Sequence, residues 1–352
     1  MKALDLFSGC GGFSYGFQEA GFDIVLGVDN VKVALDTFKY NHTNSEALVK
    51  DLSCNKNIQD IVDFLDKKNG VDVIIAGPPC QGFSLTGTRD ENDKRNELFY
   101  SVFKIAQLLK AKPKAIIIEN VPGLATLYKG KAKVEIEKKF KENGYIQNST
   151  ILYAPDFGVP QIRKRLFFVG LLEEYGKFEF PNKILSQDNY VTCEEAISDL
   201  PHLKDNLGAE ILEYASKPLS EFQQNMRKNS TQVRNHIGTA HSDLVKSVIS
   251  QVPEGGNHKD LPKGVGESRK FNEAWTRYHS KKPSKTIDTG HRNHFHYKFD
   301  RVPTVRENAR LQSFPDDFIF LGTKTEQYRQ VGNAVPPLLG YHIANKLKEV
   351  LQ

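Results

Sequence analysis

Four side chains have the types that nucleophilic catalysis needs: Cys80, Glu119, Arg163 and Arg165. A cysteine thiolate is a strong nucleophile, a glutamate can donate or accept a proton, and guanidinium groups bind carboxylates and carbonyl oxygens in fork geometry. Each side chain also has an ordinary structural explanation. A lone cysteine is commonly a small buried hydrophobe, a glutamate at a strand end a helix cap, and an arginine pair a solvated strand edge.

The position of Cys80 favours a functional role. Residues 71–76 form an apolar, β-branched run that predicts a buried strand of a parallel sheet. Pro78 and Pro79 end this strand because proline lacks the N–H that a sheet ladder requires. Cys80 then lies just past the carboxyl end of a strand, where open α/β sheets bind their ligands. The polar residues 81–97 that follow predict a mobile loop.

The glutamate and the two arginines flank neighbouring strands. Residues 115–118 predict another buried strand, and Glu119 follows it at the same sheet edge as the cysteine. Arg163 and Arg165 alternate in an extended segment before a strand at 166–170, so we expect both side chains on one face. Together they could hold a carboxylate and a base oxygen.

The first thirty residues have the order of a nucleotide-binding βαβ unit. A strand at 3–7 leads to a glycine-rich turn at 8–12, a helix at 13–20 and a strand at 22–28 that Asp29 closes. The helix start favours a negative group, and the acid can accept two ribose hydroxyls. The third glycine of the dinucleotide fingerprint is missing. From the residues alone, a dinucleotide and S-adenosylmethionine both remain candidate cofactors.

A second acid extends this unit. Residues 48–51 predict a third strand that ends at Asp51, whose carboxylate could accept a hydrogen bond from an adenine amino group. The alternative is that Asp51 caps the helix predicted at 55–67.

Composition limits the class of protein. The 352 residues are 39% hydrophobic and 26% charged, as in an ordinary globular protein, and no apolar run has the length of a membrane span. We expect no signal peptide, no disulfide and no metal site, because the cysteines show no paired or zinc-ligand spacing. The expected location is the cytoplasm. The four cysteines are Cys10, Cys54, Cys80 and Cys193.

Positive charge is concentrated in one part of the chain. Residues 223–310 contain 17 Lys and Arg against 8 Asp and Glu, a net charge of +9, and seven of the ten histidines. The whole chain carries only +5, so the remainder is about −4. This distribution predicts a polyanionic partner, and the alternative is a basic surface that only confers solubility.

Six motifs, in order and nearly end to end, give the chain a resemblance to cytosine-C5 DNA methyltransferases of the prokaryotic restriction-modification type. They correspond to the family's cofactor loop, catalytic motif, two base-holding motifs, the motif that supports the recognition domain, and the motif that returns to the cofactor pocket. In this sequence they are Asp5–Gly12, Gly77–Gln81, Glu119–Val121, Gln161-x-Arg163-x-Arg165, Thr304–Pro315 and Gly332–Pro337.

The resemblance implies a mechanism. Cys80 would add to carbon 6 of cytosine, so that carbon 5 becomes an enamine able to attack the methyl group of S-adenosylmethionine. Glu119 would donate to N3, Arg165 would hold O2, and Arg163 would position Glu119 and the loop. The target base would be flipped out of a DNA duplex. A base, or water, would then remove the C5 proton.

The resemblance also implies binding residues. Its motifs place nine residues around the cofactor, although the family commonly has a glutamate at the position of Asp29. These residues are Phe7, Gly9, Gly11, Asp29, Asp51, Pro78, Leu98, Asn333 and Ala334. Side chains that suit DNA contacts are Gln81, Ser84, Arg292, Asn293 and His294.

The predicted fold is α/β, with a doubly wound, Rossmann-like S-adenosylmethionine-dependent methyltransferase domain and a smaller basic target-recognition domain. The first would comprise 1–180 and 322–352, and the second 181–321. We expect a monomer that acts on double-stranded DNA, with a cognate restriction endonuclease as partner. A tRNA cytosine methyltransferase of the same fold and a non-catalytic DNA-binding module are the alternatives. The target sequence cannot be read from the chain.

Overall fold

The computed structural model describes residues 1–79, 98–203, 206–265, 274–290 and 293–352. Its strands are β1 Lys2–Leu6, β2 Asp23–Asp29, β3 Glu46–Val49, β4 Val73–Ala76, β5 Ala115–Asn120, β6 Tyr145–Tyr153, β7 Lys164–Leu172, β8 Ile211–Glu213, β9 Gln232–Arg234, β10 Thr276–Arg277 and β11 His294–Phe295. Its α-helices are α1 Gly12–Glu19, α2 Lys32–Asn41, α3 Asn55–Lys67, α4 Leu98–Leu108, α5 Lys131–Glu142, α6 Cys193–Ile197, α7 Glu221–Met226, α8 Asp243–Gln251, α9 Val305–Leu311, α10 Lys324–Asn333 and α11 Pro337–Leu351. Within these ranges, no helix has the length and apolar character needed to cross a membrane.

Seven strands form one sheet in the order β3-β2-β1-β4-β5-β7-β6. The first five strands are mutually parallel, and β7 runs antiparallel to β5 and β6. The order reverses between β1 and β4, where Leu6 pairs with Ala76. The carboxyl ends of these strands therefore meet at the switch point of a doubly wound α/β sheet, which confirms the predicted α/β, Rossmann-like class of the catalytic domain.

Apolar patterning explains the sheet and its helices. All four residues of β4 and the first four of β5 are completely buried, as expected for parallel strands covered on both faces. Helix α3 buries Ile58, Ile61, Val62 and Leu65 at intervals of three and four residues, which is the spacing of a single helix face.

Some predicted element limits differ from the observed ones. Strand β3 ends at Val49, which pairs with Asp29, the last residue of β2. Asp51 therefore lies beyond the strand. Strand β5 continues through Asn120, which puts Glu119 inside the strand. The extension has a clear cause: β7 pairs with both Glu119 and Asn120.

The chain divides into two compact units, each described separately here. Unit 1 comprises 1–153, 164–182 and 337–352, and unit 2 comprises 154–163 and 183–336. In unit 1, α11 packs closely on α1, since a Cβ on Gly16 would lie 2.6 Å from the backbone nitrogen of Tyr341. The domain limits predicted from the sequence remain a prediction.

Unit 2 contains a buried ionic core around α9. Arg306 donates to the backbone carbonyls of Arg234, Pro315 and Phe318 at 2.7–3.0 Å. Arg310 binds Asp316 at 2.6 Å through Nε. These charges are stabilised inside the protein because each has oriented acceptors.

Burial of its arginines lowers the positive surface charge of the basic segment, residues 223–310. The residues Arg277, Arg301, Arg306 and Arg310 are at most 7% exposed, so their charges lie inside the protein. The exposed cations of the segment in the described ranges are lysines: Lys228, Lys246, Lys259, Lys263, Lys281, Lys282 and Lys298.

Candidate active site

The carboxylate of Glu119 lies at the carboxyl edge of the sheet in unit 1. Its Oε1 accepts a hydrogen bond from Nε of Arg165 at 2.8 Å, and the two side chains are 12% and 14% exposed. Gly77 directly follows β4, and a Cβ atom placed on it would lie 3.8 Å from Oε2 of Glu119. The structure thus brings the predicted acid and one predicted arginine together beside the end of β4.

Asn120 holds the segment that leads to Cys80. Its side-chain Nδ2 donates to the carbonyl of Pro78 at 3.1 Å, and its Oδ1 accepts from the backbone of Val121 at 2.9 Å. The side chain is 5% exposed. Asn120 was not predicted to have this role. The available signal is an amide directly after Glu119, at the end of a buried strand.

Cys80 itself lies outside the described residues, as do Gln81 and Ser84. The other cysteines have structural or exposed positions. Burial raises the pKa of Cys10 to about 12 and also raises the pKa of Cys193. Cys54 is exposed at the start of α3. Neither buried thiol is a ready nucleophile, because the reactive form is the thiolate.

Arg163 lies in unit 2 and has different partners from Arg165. Its Nη2 donates to the carbonyls of Gly332 and Ala334 at 3.0 and 3.1 Å, and its side chain is almost completely buried. Arg165 instead binds Glu119 through Nε. The expectation that the two guanidiniums share one face stays a prediction.

The glycine-rich turn joins β1 to α1 in unit 1. Phe7, Gly9 and Gly11 all have positive φ values, of 58°, 54° and 93°. The backbone N–H of Gly9 donates to Oδ2 of Asp29 at 2.9 Å, and that of Gly11 donates to the carbonyl of Ser8 at 2.9 Å. These two amides are thus hydrogen-bonded within the turn. The strained Phe7 is typical of a functional site.

A buried carboxyl group lies beneath this turn. Asp5 accepts a hydrogen bond from the hydroxyl of Ser14 at 2.6 Å, which ties β1 to α1. Burial raises the pKa of Asp5 to about 7, and the charge of Asp29 contributes to the increase. Burial also raises the pKa of Asp29 itself. Burial therefore disfavours the charged form of both carboxyl groups.

His42 supports the turn from α2, and sequence reasoning did not find it. Its Nε2 lies 3.1 Å from the carbonyl of Gly11 and its Nδ1 lies 2.9 Å from Oε1 of Gln18. Burial lowers the pKa of His42 to about 4, so the ring is neutral at physiological pH. A Cβ on Gly11 would lie 2.8 Å from the same ring, so only glycine fits there.

The turn has the features of a cofactor cradle. Within the part of the chain that is described, the buried Oγ of Ser8 has no hydrogen-bond partner. A Cβ on Gly9 would have no atom within 4 Å. Asp29 stands at the end of β2 with acceptor capacity that suits ribose hydroxyls. Three features of the turn fit S-adenosylmethionine: the open space at Gly9, the unpaired hydroxyl of Ser8 and the acid at the end of β2.

The other predicted cofactor residues occur in both units. In unit 1, Pro78 is buried, Leu98 begins α4, and Asp51 is exposed. Oδ1 of Asp51 accepts from the backbone of Ser53 at 2.9 Å, and α3 has Cys54 as its N-cap. In unit 2, Asn333 is exposed and Ala334 partly buried.

The predicted DNA-reading residues differ in their surroundings. Arg292 lies outside the described residues. Asn293 donates to Oδ2 of Asp288 through its side chain. His294 is 6% exposed and stacks on Tyr278, with ring centroids 5.4 Å apart. Base reading by His294 would require this stack to open.

The fold and this site are those of a class of DNA-modifying enzymes. Residues 1–349 match the family of C-5 cytosine-specific DNA methylases. The chain is 36% identical over 373 residues to the type II methyltransferase M.DdeI of Desulfomicrobium norvegicum, with 99% of this chain and 88% of that protein covered. It is 39% identical over 351 residues to the type II methyltransferase M1.HphI of Haemophilus parahaemolyticus, with 98% and 86% covered.

A solved structure agrees with these relatives. The crystal structure of a prophage-encoded E. coli protein, described as a DNA modification methyltransferase, superposes with a TM-score of 0.80 and 28% identity, covering 100% of this chain and 99% of that one. The chain belongs to the C-5 cytosine-specific DNA methylase family. It is a DNA cytosine-5 methyltransferase, and its methyl donor is S-adenosylmethionine.

Proposed function

We propose that this enzyme methylates one cytosine within a specific duplex DNA sequence through a covalent Cys80 adduct, as the modification enzyme of a restriction-modification system. The observation that carries the proposal is the Glu119–Arg165 pair beside Gly77. Cys80 follows Gly77 by three residues in the sequence. The acid and the oxygen-binding cation thus lie beside the end of β4, and the sequence that follows this strand supplies the nucleophile of the proposal.

In this proposal the chain's own residues carry out the nucleophilic addition and the proton transfer. The Cys80 thiolate forms a bond to carbon 6, and the electrons of the C5–C6 double bond become available at carbon 5. Glu119 gives a proton to N3, and Arg165 holds O2, so that charge does not accumulate on the ring. S-adenosylmethionine, when bound, supplies the methyl group that carbon 5 attacks.

The reaction ends with elimination. The C5 proton leaves to a base or to water, the C5–C6 double bond forms again, and Cys80 leaves as a thiolate. Glu119 recovers the N3 proton and is ready for another turnover. Arg163 is proposed for this set as a positioning residue, and its described hydrogen bonds include those to the backbone carbonyls of Gly332 and Ala334.

The same reasoning assigns the cofactor site. The glycine turn with Phe7, Gly9 and Gly11 would surround the methionine part, Asp29 the ribose and Asp51 the adenine. The unpaired hydroxyl of Ser8 supports a polar ligand at the turn. The other proposed cofactor-binding residues are Pro78 and Leu98 of unit 1, and Asn333 and Ala334 of unit 2.

DNA binding would fall to unit 2. Its exposed lysines supply the phosphate contacts that give salt-dependent affinity, and Arg292, Asn293 and His294, with Gln81 and Ser84, are the proposed base contacts. M.DdeI and M1.HphI are type II methyltransferases by name, which supports a cognate endonuclease for this chain. We further propose a monomer that acts in the cytoplasm on nucleoid DNA.

Methylation mapping tests this function. DNA from cells that express the protein is sequenced by long-read or bisulfite methods, and purified enzyme is offered duplex DNA and tRNA in parallel. We expect 5-methylcytosine at one short DNA sequence, and its absence with Cys80→Ser. The matched variant Cys54→Ser, at an exposed cysteine, should keep the pattern. Methylation confined to tRNA, or an unchanged pattern with Cys80→Ser, would contradict the proposal.

A further inference from the structure

The end of α10 has backbone carbonyls that need donors. A helix terminus leaves its last carbonyl groups without intrahelical partners. Here the helix is followed by Pro336 and Pro337, which have no N–H to offer. The N–H of Ala334 donates to the carbonyl of Val331 at 3.4 Å. Side chains are therefore the natural further donors for the carbonyls of the segment 331–334, which we call the α10 turn.

Two buried side chains of unit 2 supply these donors. Nε2 of Gln312 donates to the carbonyls of Val331 and Ala334 at 3.0 and 2.9 Å. Nη2 of Arg163 donates to the carbonyls of Gly332 and Ala334 at 3.0 and 3.1 Å. The carbonyl of Ala334 thus receives both. A cation at a helix C-terminus is also stabilised by the helix dipole.

A third side chain fixes the orientation of these donors. Gln161, completely buried, donates through Nε2 to Oε1 of Gln312. Its own Oε1 accepts from the backbone N–H of Ile287 at 3.0 Å and from Arg163 at 3.4 Å. Because each amide oxygen is already engaged as an acceptor, the amide of Gln312 must direct its N–H groups to the α10 turn.

The backbone of the residues after β10 also packs on the α10 turn. A Cβ on Gly332 would lie 2.9 Å from the backbone nitrogen of Thr289, so the residues after β10 pack directly on the turn. Within this frame Asn333 is the exposed residue. The contacts hold the backbone on either side of Asn333 and leave its side chain accessible.

We propose that Gln312 and Arg163 are positioning residues for cofactor binding, which hold the α10 turn so that Asn333 and Ala334 present a preformed surface to S-adenosylmethionine. The inference rests on the proposed assignment of Asn333 and Ala334 to the cofactor pocket. Preorganisation lowers the ordering cost of binding, so its loss weakens affinity without removing a direct contact.

The variant Gln312→Met tests this role. Methionine preserves the size of the side chain but removes both donors and the acceptor. Gln223→Met is the matched control, because Gln223 is equally buried in unit 2 and bonds Leu219, Glu194 and Ser198, away from the turn. Binding of S-adenosylhomocysteine is measured by calorimetry, together with KM for S-adenosylmethionine, kcat and thermal stability.

We expect Gln312→Met to weaken S-adenosylhomocysteine binding by about tenfold or more, which corresponds to the loss of one or two buried hydrogen bonds. KM for S-adenosylmethionine should rise in parallel, while kcat at saturating cofactor stays within about threefold of the unmodified enzyme. Gln223→Met should lose similar stability and bind the cofactor product normally.

Two outcomes overturn the inference: unchanged S-adenosylhomocysteine binding by Gln312→Met, or equal weakening by Gln223→Met. If Gln312→Met does not fold, Arg163→Lys decides, since it keeps the cation but removes the planar guanidinium whose Nη2 bonds both carbonyls. Weaker binding supports the proposal, and unchanged binding refutes it. An unmodified enzyme that transfers no methyl group to DNA would instead contradict the proposed function, whatever these variants do.

Discussion

Replacing Glu119 by glutamine separates its chemical role from its structural one. The carboxylate accepts from Nε of Arg165 at 2.8 Å, at a place where both side chains are mostly buried. The amide keeps an oxygen for that donor and loses only the charge, so we expect a stability cost of about 1 kcal/mol, the difference between charged and neutral hydrogen bonds. Methyl transfer should fall by about 10²–10⁴, because an amide cannot give its proton to N3.

The measurement is single-turnover transfer of a labelled methyl group to duplex DNA, with thermal unfolding of the same samples. Glu142→Gln is the control, since it makes the same chemical change at the exposed Lys139–Glu142 pair on α5. It should transfer methyl groups at the unmodified rate. If Glu119→Gln retained more than about a third of that rate, general acid catalysis by Glu119 would be excluded.

Two further variants probe the cofactor turn. Asp5 keeps its proton up to about pH 7 in the folded state and releases it near pH 4 when unfolded, so its stabilising contribution is lost as pH rises through this range. Asp5→Asn should therefore be more stable than the unmodified protein at about pH 8 but not at about pH 4. The free energy of unfolding is measured with denaturant at both pH values, and a difference that does not depend on pH would refute this prediction. Gly11→Ala places a methyl group against His42 at a φ of 93°, so binding of S-adenosylhomocysteine by calorimetry should be abolished, and near-normal affinity would contradict the close packing.

Local patterns predicted most of the sheet and its helices. Helix α3 has the limits expected from its apolar spacing, and the two buried strands β4 and β5 were identified by continuous β-branched runs. The end of β5 was not predicted, because Glu119 joins the strand only through pairing with β7. A polar residue at a strand end gives no local sign of that pairing.

The long-range polar contacts could not be predicted. Arg310 pairs with Asp199, which is 111 residues away, and Arg163 bonds to Gly332, which is 169 residues away. A charged residue is expected at the surface unless its partners are known, so α9 had the composition of a solvated helix. The same limitation hid His42, since its contact with Gly11 depends on how α2 packs on the turn.

Covalent trapping tests the central claim most directly. Duplex DNA carrying 5-fluorocytosine at the mapped target cannot lose its C5 substituent as a proton, so the adduct with Cys80 should persist after methyl transfer. We predict a cofactor-dependent protein–DNA complex on denaturing electrophoresis, and peptide mass spectrometry should find the modified base attached to Cys80. The complex should be absent with Cys80→Ser and present with Cys54→Ser. A complex of equal yield with Cys80→Ser would show that Cys80 is not the nucleophile.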